Sequence, residues 1–589
     1  MDGAPGEPFT TEQKEYIAGY AAGIAARNLF AGHDLAGRVT NDPGAAGANL
    51  AEPAEETFYG FPVNELSREE QLKREKDPRD LWEQLISHAR ENKPPEDGDV
   101  FRFKAQGLFW VAPNQESFMC RLRTPGGVLT TAQARGIGAI AREHGAGHAD
   151  LTTRSNIQVR EIAPHSIVEV LTALDEIGLG ARGAGCDNIR NITAPPTSGF
   201  DPQELLDVRP YCRALQQYIY NTRDMYGLPR KINIAFDSGG AVSVLSDTND
   251  IGFVATTVAE GHGVEPGLYF RVLLCGITGH ERLAFDCGLL VRPDEAVALS
   301  AAIVRAFVET GDRTDRKKAR LCYVLDRLGT DGFLAKVQEH LAFPLRHLAA
   351  DKCAPRPPEV RGAHLGVRPQ RQPGLNSIGV DVPVGRMSCD QIDGLAAIAD
   401  DFGAGELRLT VWQNLMIPGV PDARLADALA ALRAIGLRHD PSPIAGGLVA
   451  CTGNRGCRFA NADTKGHALA LGRHLDATVA LDEALNIHFT GCPNSCAQHY
   501  VGDIGLLGTT ITRGGESVEG YHVYVGGGCG EDGGIARELA RSVPFDELNP
   551  MIERLLLAYG ERRAAKDSFV AFARRHDIDD LRTMAGIEA

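Results

Sequence analysis

The chain has 589 residues, a net charge of −16, 43% hydrophobic and 23% charged residues. That length allows three or four domains of about 150 residues, and the composition is that of an ordinary globular protein. An acidic balance without a long basic stripe argues against a nucleic-acid binder, and no apolar run approaches the ~18 residues of a membrane span.

The opening residues, MDGAPGEPFTTEQKEY, hold neither the basic stretch nor the apolar core of a signal peptide, so a cytoplasmic location is expected. Helices are expected over Thr11–Asn28 and Pro78–Asn92, with a Gly/Pro-rich segment, Gly32–Pro62, between them. Residues 1–105 therefore read as an N-terminal wrapping extension rather than an independent core.

Two later segments match each other. IAREHGAGHADLTTRSN begins at Ile140 and IADDFGAGELRLTVWQN at Ile398. Gly145/Gly403, Ala146/Ala404, Gly147/Gly405, Leu151/Leu409, Thr152/Thr410 and Asn156/Asn414 keep a constant offset of 258, as do Pro125/Pro383 and Gly127/Gly385. This is a duplicated unit. Each copy predicts a strand (Phe118–Thr124; Ser377–Val382), a helix (Thr131–His144; Cys389–Phe402) closed by a C-cap glycine, and a second strand (Ala149–Thr153; Glu406–Val411). INIAF (Ile232–Phe236) also resembles LNIHF (Leu485–Phe489), at an offset of 253. Alternating strands and helices predict layered α/β (α+β) domains.

Three short basic motifs mark the first half: FMCRLRTPGG with Arg121 and Arg123, CDNIRN with Arg190, and LPRKIN with Arg230, Lys231 and Asn233. Strand alternation sends Arg121 and Arg123 to one side, and Lys231 and Asn233 together to one side. Cations at strand ends, kept from full solvation, are a device for binding anions. Arg154, Asn156 and Gln158 in TTRSNIQ end the repeated strand, and Arg154 is replaced by Trp412 in the second copy. The densest basic run, GDRTDRKKAR from Gly311, reads as a solvated helix face or a docking surface for an acidic partner.

The cysteines carry the strongest signal. CTGNRGC (Cys451, Cys457) and TGCPNSC (Cys492, Cys496) give two close pairs in loops rich in Gly, Asn and Pro. Four thiolates suit a [4Fe–4S] cluster, whereas C-x5-C fits structural zinc poorly. The other nine cysteines are isolated and read as buried free thiols, not a disulfide framework. The glycine run VGGGCGEDGG (Val525–Gly534) follows no strand–helix setting for a dinucleotide and reads as a loop.

From Phe118 to Gly533 these motifs together resemble the siroheme-dependent nitrite and sulfite reductases. The resemblance implies a three-domain fold with pseudo-twofold symmetry. Its divisions would be 106–180 and 365–436 as paired ferredoxin-like half-domains, 181–350 for siroheme and substrate, and 437–589 for the cluster. It implies siroheme and a [4Fe–4S] cluster held by Cys451, Cys457, Cys492 and Cys496, with Cys496 shared with the siroheme iron. Arg154, Gln158, Arg230 and Asn494, with Arg121 and Arg190, match positions at or near the macrocycle. Arg121, Arg190 and Lys231 match the cations that bind the substrate anion.

Within that family sulfite reductases typically read Lys-x-Lys on this strand and nitrite reductases Lys-x-Asn; here it is Lys231-Ile232-Asn233. Nitrite is a monoanion and sulfite largely a dianion. One added cation about 4 Å from one extra charge contributes up to about 4 kcal/mol at an effective dielectric near 20. Asn233 keeps a donor and drops the charge, so six-electron reduction of nitrite to ammonium is expected, with sulfite reduction as the alternative. A corrinoid-pathway homologue and a non-catalytic electron relay are the other readings. With no flavin or nicotinamide module, a separate ferredoxin or flavodoxin is the expected donor, and a monomer the expected state.

Overall fold

The computed structural model describes residues 56–564 and 567–587. The helix expected over Thr11–Asn28 and most of the Gly/Pro-rich segment lie outside the described residues. No helix among the described residues is long and apolar enough to cross a membrane.

The two copies of the repeat exchange strands. In the first copy, strands Leu108–Val111, Ser117–Arg121, Ile157–Ile162 and His148–Leu151 form a sheet completed by Arg386–Ser388 of the second copy. Reciprocally, Val128–Thr130 of the first copy completes the sheet of Gly366–Pro369, Leu375–Val380, Leu415–Pro421 and Glu406–Leu409. The registers obey the 258 offset: Ser388 pairs with His148, and Thr130 with Glu406. Each copy thereby covers an edge of the other, which leaves fewer strand edges open to other chains.

The repeat helices span Thr131–His144 and Cys389–Phe402, as predicted. Each begins with a capping box, Thr130 with Gln133 and Ser388 with Gln391, so the duplication extends to the caps. Leu122, Leu129, Val380 and Leu407 lie in one shared core, which Leu81 at the N-cap and Leu85 within the helix Trp82–Glu91 also enter.

Gly145 and Gly403 stand at the C-caps as expected, with extended backbone (φ −125° and −110°). Glycine is needed there for close approach: a Cβ would lie 2.8 Å from Arg160 O in one copy and 2.8 Å from Pro418 O in the other. The first strand ends at Arg121, so alternation does not carry Arg123 to the same side. Arg123 is buried and donates to Gln216 Oε1, Ile189 O and Arg190 O. Finally, residues 311–320 form a loop, not a helix face, and Arg313, Arg316 and Arg320 turn inward to Glu70, Asp187 and Asp250.

The second, weaker repeat is also structural. Strands Ile189–Thr193, Ile232–Asp237 and Ile251–Val258 run parallel, then Gly267–Leu274, Phe285–Val291 and Arg346–His347 follow antiparallel. Strands Leu448–Ala450, Ile487–Thr490 and Ile504–Arg513 run parallel, then Glu516–Val525 and Arg537–Pro544 antiparallel. Ile234 pairs with Ile251 and Ile487 with Ile504, the same register at the offset of 253. The glycine run Val525–Gly534 joins two antiparallel strands, so no helix follows it to bind a phosphate.

Candidate active site

The cysteine loops leave the carboxyl ends of two parallel strands, Leu448–Ala450 and Ile487–Thr490, where open α/β sheets present their ligand crevices. The chain turns sharply in both cysteine loops. Gly453 adopts φ +74°, and a Cβ on it would lie 2.8 Å from Thr464 N. A Cβ on Gly491 would lie 2.6 Å from the Ala460 Cβ.

Backbone N–H groups point at the sulfurs. Gly491 donates to Cys451 Sγ at 3.2 Å, and Gly453 reaches the same thiol. Phe459 and Ala460 serve Cys457, and Asn494 serves Cys492 through both backbone and side chain. Such donors stabilise thiolates against the cost of burial. The four thiols also feel one another: burial first, then Cys496, with Cys457 and Cys451 further down, push the Cys492 thiol up to about 11. No three Cys, His, Asp or Glu side chains among the described residues converge on a single metal ion. Of the other nine cysteines, seven are buried and Cys287 and Cys529 half-buried, all as free thiols.

Facing Cys496 is a set of cations. Arg121 and Lys231 both feel the Cys496 thiol, and Lys231 also feels Arg320, Arg190 and Arg230. Arg121 lies over the Phe109 ring, 4.5 Å from its centroid. Arg190 donates to the carbonyls of Ala184 (2.6 Å) and Cys186 (2.7 Å), while its Nε is buried without a partner. Cys186 has φ +58°, which turns that carbonyl to the guanidinium and gives the residue a role beyond its buried thiol. Among the described residues Arg121, Arg154, Arg190 and Lys231 make no ion pair with a carboxylate. Burial pushes Arg190 down to about 9 and Arg154 to about 10, and drives Lys231 well below the usual lysine range. All four are half-buried, and desolvated cations without counter-ions are costly unless an anion completes them.

The remaining predicted residues are placed as follows. Asn233 is buried, its backbone N–H donates to Asp250 Oδ2 at 2.8 Å, and its side-chain amide has no partner among the described residues. Arg154 donates to Asn249 Oδ1, and its neighbour Thr153 donates to the Cys496 carbonyl at 2.9 Å. Gln158 gives its amide oxygen to Arg160, and Arg230 pairs with Asp187 at 3.4 Å, so these two are already engaged by protein groups.

Sequence reasoning missed the carboxylates that hold this set. Asp187 receives Arg316 through two bonds of 2.8 and 2.9 Å, with Arg230 and Lys73 also in range. Asp250 receives Arg320 and the Asn233 N–H. Arg160 ties the first sheet to the cysteine loop through Asp150, Gly456 O and Thr452. The one available signal was Asp187 itself, an acid inside CDNIRN three residues before Arg190.

The chain is similar to known proteins over most of its length. The family model "Nitrite and sulphite reductase 4Fe-4S domain" matches residues 185–345 and 446–587. The model "Nitrite/Sulfite reductase ferredoxin-like half domain" matches 112–177 and 368–435. The ferredoxin–nitrite reductase of Synechococcus elongatus is 36% identical over 84% of this chain and 97% of its own. The chloroplastic ferredoxin–nitrite reductase of Arabidopsis thaliana is 34% identical over 87% and 90%. A sulfite reductase [ferredoxin] 2 of Mycolicibacterium paratuberculosis is 34% identical over 79% and 83%. The solved structure of the Mycobacterium tuberculosis NirA protein superposes with a TM-score of 0.79 at 30% identity, covering 88% of this chain and 98% of that one.

Proposed function

The chain belongs to the nitrite and sulphite reductase family of oxidoreductases, with that family's 4Fe-4S domain, and we propose that it reduces nitrite to ammonium with electrons from reduced ferredoxin. The observation that carries this reading is the pairing of Lys231 with a neutral, unpartnered Asn233 amide beside carboxylate-free Arg121 and Arg190. Percentage identity alone does not decide between substrates, since one nitrite relative and one sulfite relative are both 34% identical. The charge count at Asn233 supports nitrite: a second lysine there would favour a dianion by up to about 4 kcal/mol, and an amide removes that gain.

The same cations support siroheme, a macrocycle with eight carboxylates. Arg121, Arg154 and Arg190 are the groups left free of carboxylates to hold it, with Asn494 beside Cys492; Gln158 would offer its amide N–H groups, and Arg230 would share its guanidinium with Asp187. When bound, siroheme supplies an iron that takes the anion and passes electrons to it. Cys451, Cys457, Cys492 and Cys496 would hold the [4Fe–4S] cluster, and Cys496, nearest the cations, would bridge to that iron. The chain's own part is to neutralise the substrate with Arg121, Arg190 and Lys231, to orient it with the Asn233 amide, and to exclude bulk water. Ferredoxin, or flavodoxin, would dock by charge, and a monomer suffices for every role named here.

Steady-state reduction of nitrite and of sulfite, with dithionite-reduced methyl viologen as donor and an optical spectrum recorded beforehand, tests the reading. A siroheme spectrum with kcat/KM favouring nitrite is expected. A preference for sulfite overturns the substrate, and a cluster spectrum without siroheme overturns the reaction.

A further inference from the structure

The residues ahead of Leu108 take no part in the function argued above, yet one of their side chains reaches the segments that carry the substrate cations. The sequence REEQLKRE folds as the helix Arg68–Glu75. Its i, i+3 spacing puts Glu70 and Lys73 on one face. That face turns inward: the Glu70 side chain is 1% exposed and that of Lys73 7%, against 66% for Arg68 and 38% for Arg74. A lysine buried beneath a surface helix is costly unless its ammonium is fully engaged.

Both ends of the helix are docked. Ser67 N–H donates to the Arg313 carbonyl at 3.0 Å, and Arg102 Nε to the Leu72 carbonyl at 3.2 Å. Between them, Lys73 Nζ donates to the Leu228 carbonyl at 2.8 Å and lies 3.5 Å from Asp187 Oδ2. Leu228 and Asp187 belong to the segments that feed two neighbouring parallel strands, Ile232–Asp237 and Ile189–Thr193. Lys231 stands just before the first of these strands, and Arg190 at the start of the second. Backbone pairing does not by itself fix their relative height, because the register shifts between Ile189 and Ile192, and such an irregularity opens the ladder locally. Arg230 also crosses to Asp187, at 3.4 Å, but its side chain is 31% exposed.

We propose that Lys73 is a positioning residue of the anion site: by joining Leu228 to Asp187 it sets the separation of Lys231 and Arg190, between which the substrate binds. The proposal rests on the function argued above. Lys73 acts through the two segments and not on the anion. Without it the Leu228 carbonyl loses its side-chain donor, and the turn before Lys231 is free to move away from Arg190. At an effective dielectric near 20, a cation that retreats from about 4 to about 6 Å loses about tenfold in its hold on a monoanion.

Loss of Lys73 strands no buried carboxylate. Glu70 keeps Arg313 at 2.7 Å, and Asp187 keeps the two Arg316 bonds of 2.8 and 2.9 Å. A neutral side chain of similar length therefore leaves the fold standing, and the change falls on the Leu228 turn.

The test compares wild type with Lys73→Met and with Arg68→Met, a control on the exposed face of the same helix, where Arg68 pairs with Asp97. Titration of the oxidised holoenzyme with nitrite, followed by optical absorption, gives Kd without turnover. Lys73→Met should raise Kd and the nitrite KM about tenfold, with kcat within about twofold of wild type and an unchanged spectrum before nitrite is added. Hydrogen–deuterium exchange should quicken at 184–190 and 227–231 and stay at the wild-type rate in the helices Thr131–His144 and Cys389–Phe402. Lys73→Gln, which keeps an N–H donor without the charge, should lie between Lys73→Met and wild type. Arg68→Met should match wild type throughout. An unchanged Kd in Lys73→Met, a Kd raised equally by Arg68→Met, or a lower kcat with an unmoved KM overturns the positioning role. If Lys73→Met does not fold, the Kd and exchange of Lys73→Gln decide in the same way. If wild type prefers sulfite, the substrate reading fails, while sulfite titration of the same variants still judges Lys73.

Discussion

Arg320 and Asp250 form a buried, two-pronged ion pair: Arg320 Nη2 lies 2.7 Å from both carboxylate oxygens. One of those oxygens, Oδ2, also accepts the Asn233 backbone N–H at 2.8 Å. The pair thus joins the loop 311–320 to the strand Ile232–Asp237, just after Lys231, and it anchors the backbone of Asn233.

Breaking one side of this pair strands a buried charge. Arg320→Met should destabilise the protein by about 3–5 kcal/mol, whereas replacing both partners with apolar residues should cost much less. Thermal unfolding of the single and double variants measures the difference. Nitrite KM should rise in Arg320→Met even at temperatures where the variant stays folded, because Asn233 loses its anchor.

Much of the fold was legible because the duplication is written in residues that perform the same local task twice. Gly127 and Gly385 both take positive φ, and Thr130 and Ser388 both cap a helix, so helix bounds were readable to the residue. The strand exchange was not readable: Val128–Thr130 and Arg386–Ser388 look like ordinary edge strands, and nothing local says whose sheet they join. In the site, the cysteines and lone cations were legible because spacing and residue type carry their chemistry. The basic run 311–320 was misread because its partners, Glu70, Asp187 and Asp250, are distant in sequence, and a charge run gives no sign of which side faces inward.

Asp150 gives an acid-sensitive lock on the exchanged strands. It pairs with Arg386 of the other copy at 2.8 Å and with Arg160 at 3.0 Å, with Lys465 at 3.8 Å. Burial raises its pKa, but Lys465, Arg386 and Arg160 together more than offset this and hold it below the usual carboxylate range. A depressed folded pKa contributes stability that is present above the unfolded value of about 3.9 and lost as pH falls below it. Asp150→Asn should therefore lower Tm at pH 7 and show a smaller further loss than wild type between about pH 5 and 3; parallel pH curves would remove Asp150 as the source.

The cysteine loop should tolerate no side chain at Gly453. Its φ of +74° and the 2.8 Å approach to Thr464 N leave an added methyl nowhere to go. Gly453→Ala should reduce bound iron by about half or more while far-UV circular dichroism stays near wild type. Cys496→Ser should go further and abolish magnetic coupling between cluster and siroheme. Normal coupling in that variant would transfer the bridging role to another thiol.

Asn233→Lys tests the substrate reading at a single atom group. The wild-type amide is neutral, buried and unpartnered, and Lys231 beside it is already pushed well below the usual lysine range by burial and by Arg320 and Arg190. A second lysine enters a field that opposes its charge, so its full Coulomb gain of about 4 kcal/mol will not be realised. Even a quarter of that gain is a severalfold change, so the ratio of kcat/KM for sulfite to that for nitrite should rise about fivefold or more. The rise should be largest near neutral pH, where sulfite is largely a dianion and the new lysine still carries a proton, and should shrink both at low pH, where sulfite becomes a monoanion, and as pH climbs and the crowded cations release a proton. A ratio that is unchanged at every pH would show that charge count at position 233 does not select the anion.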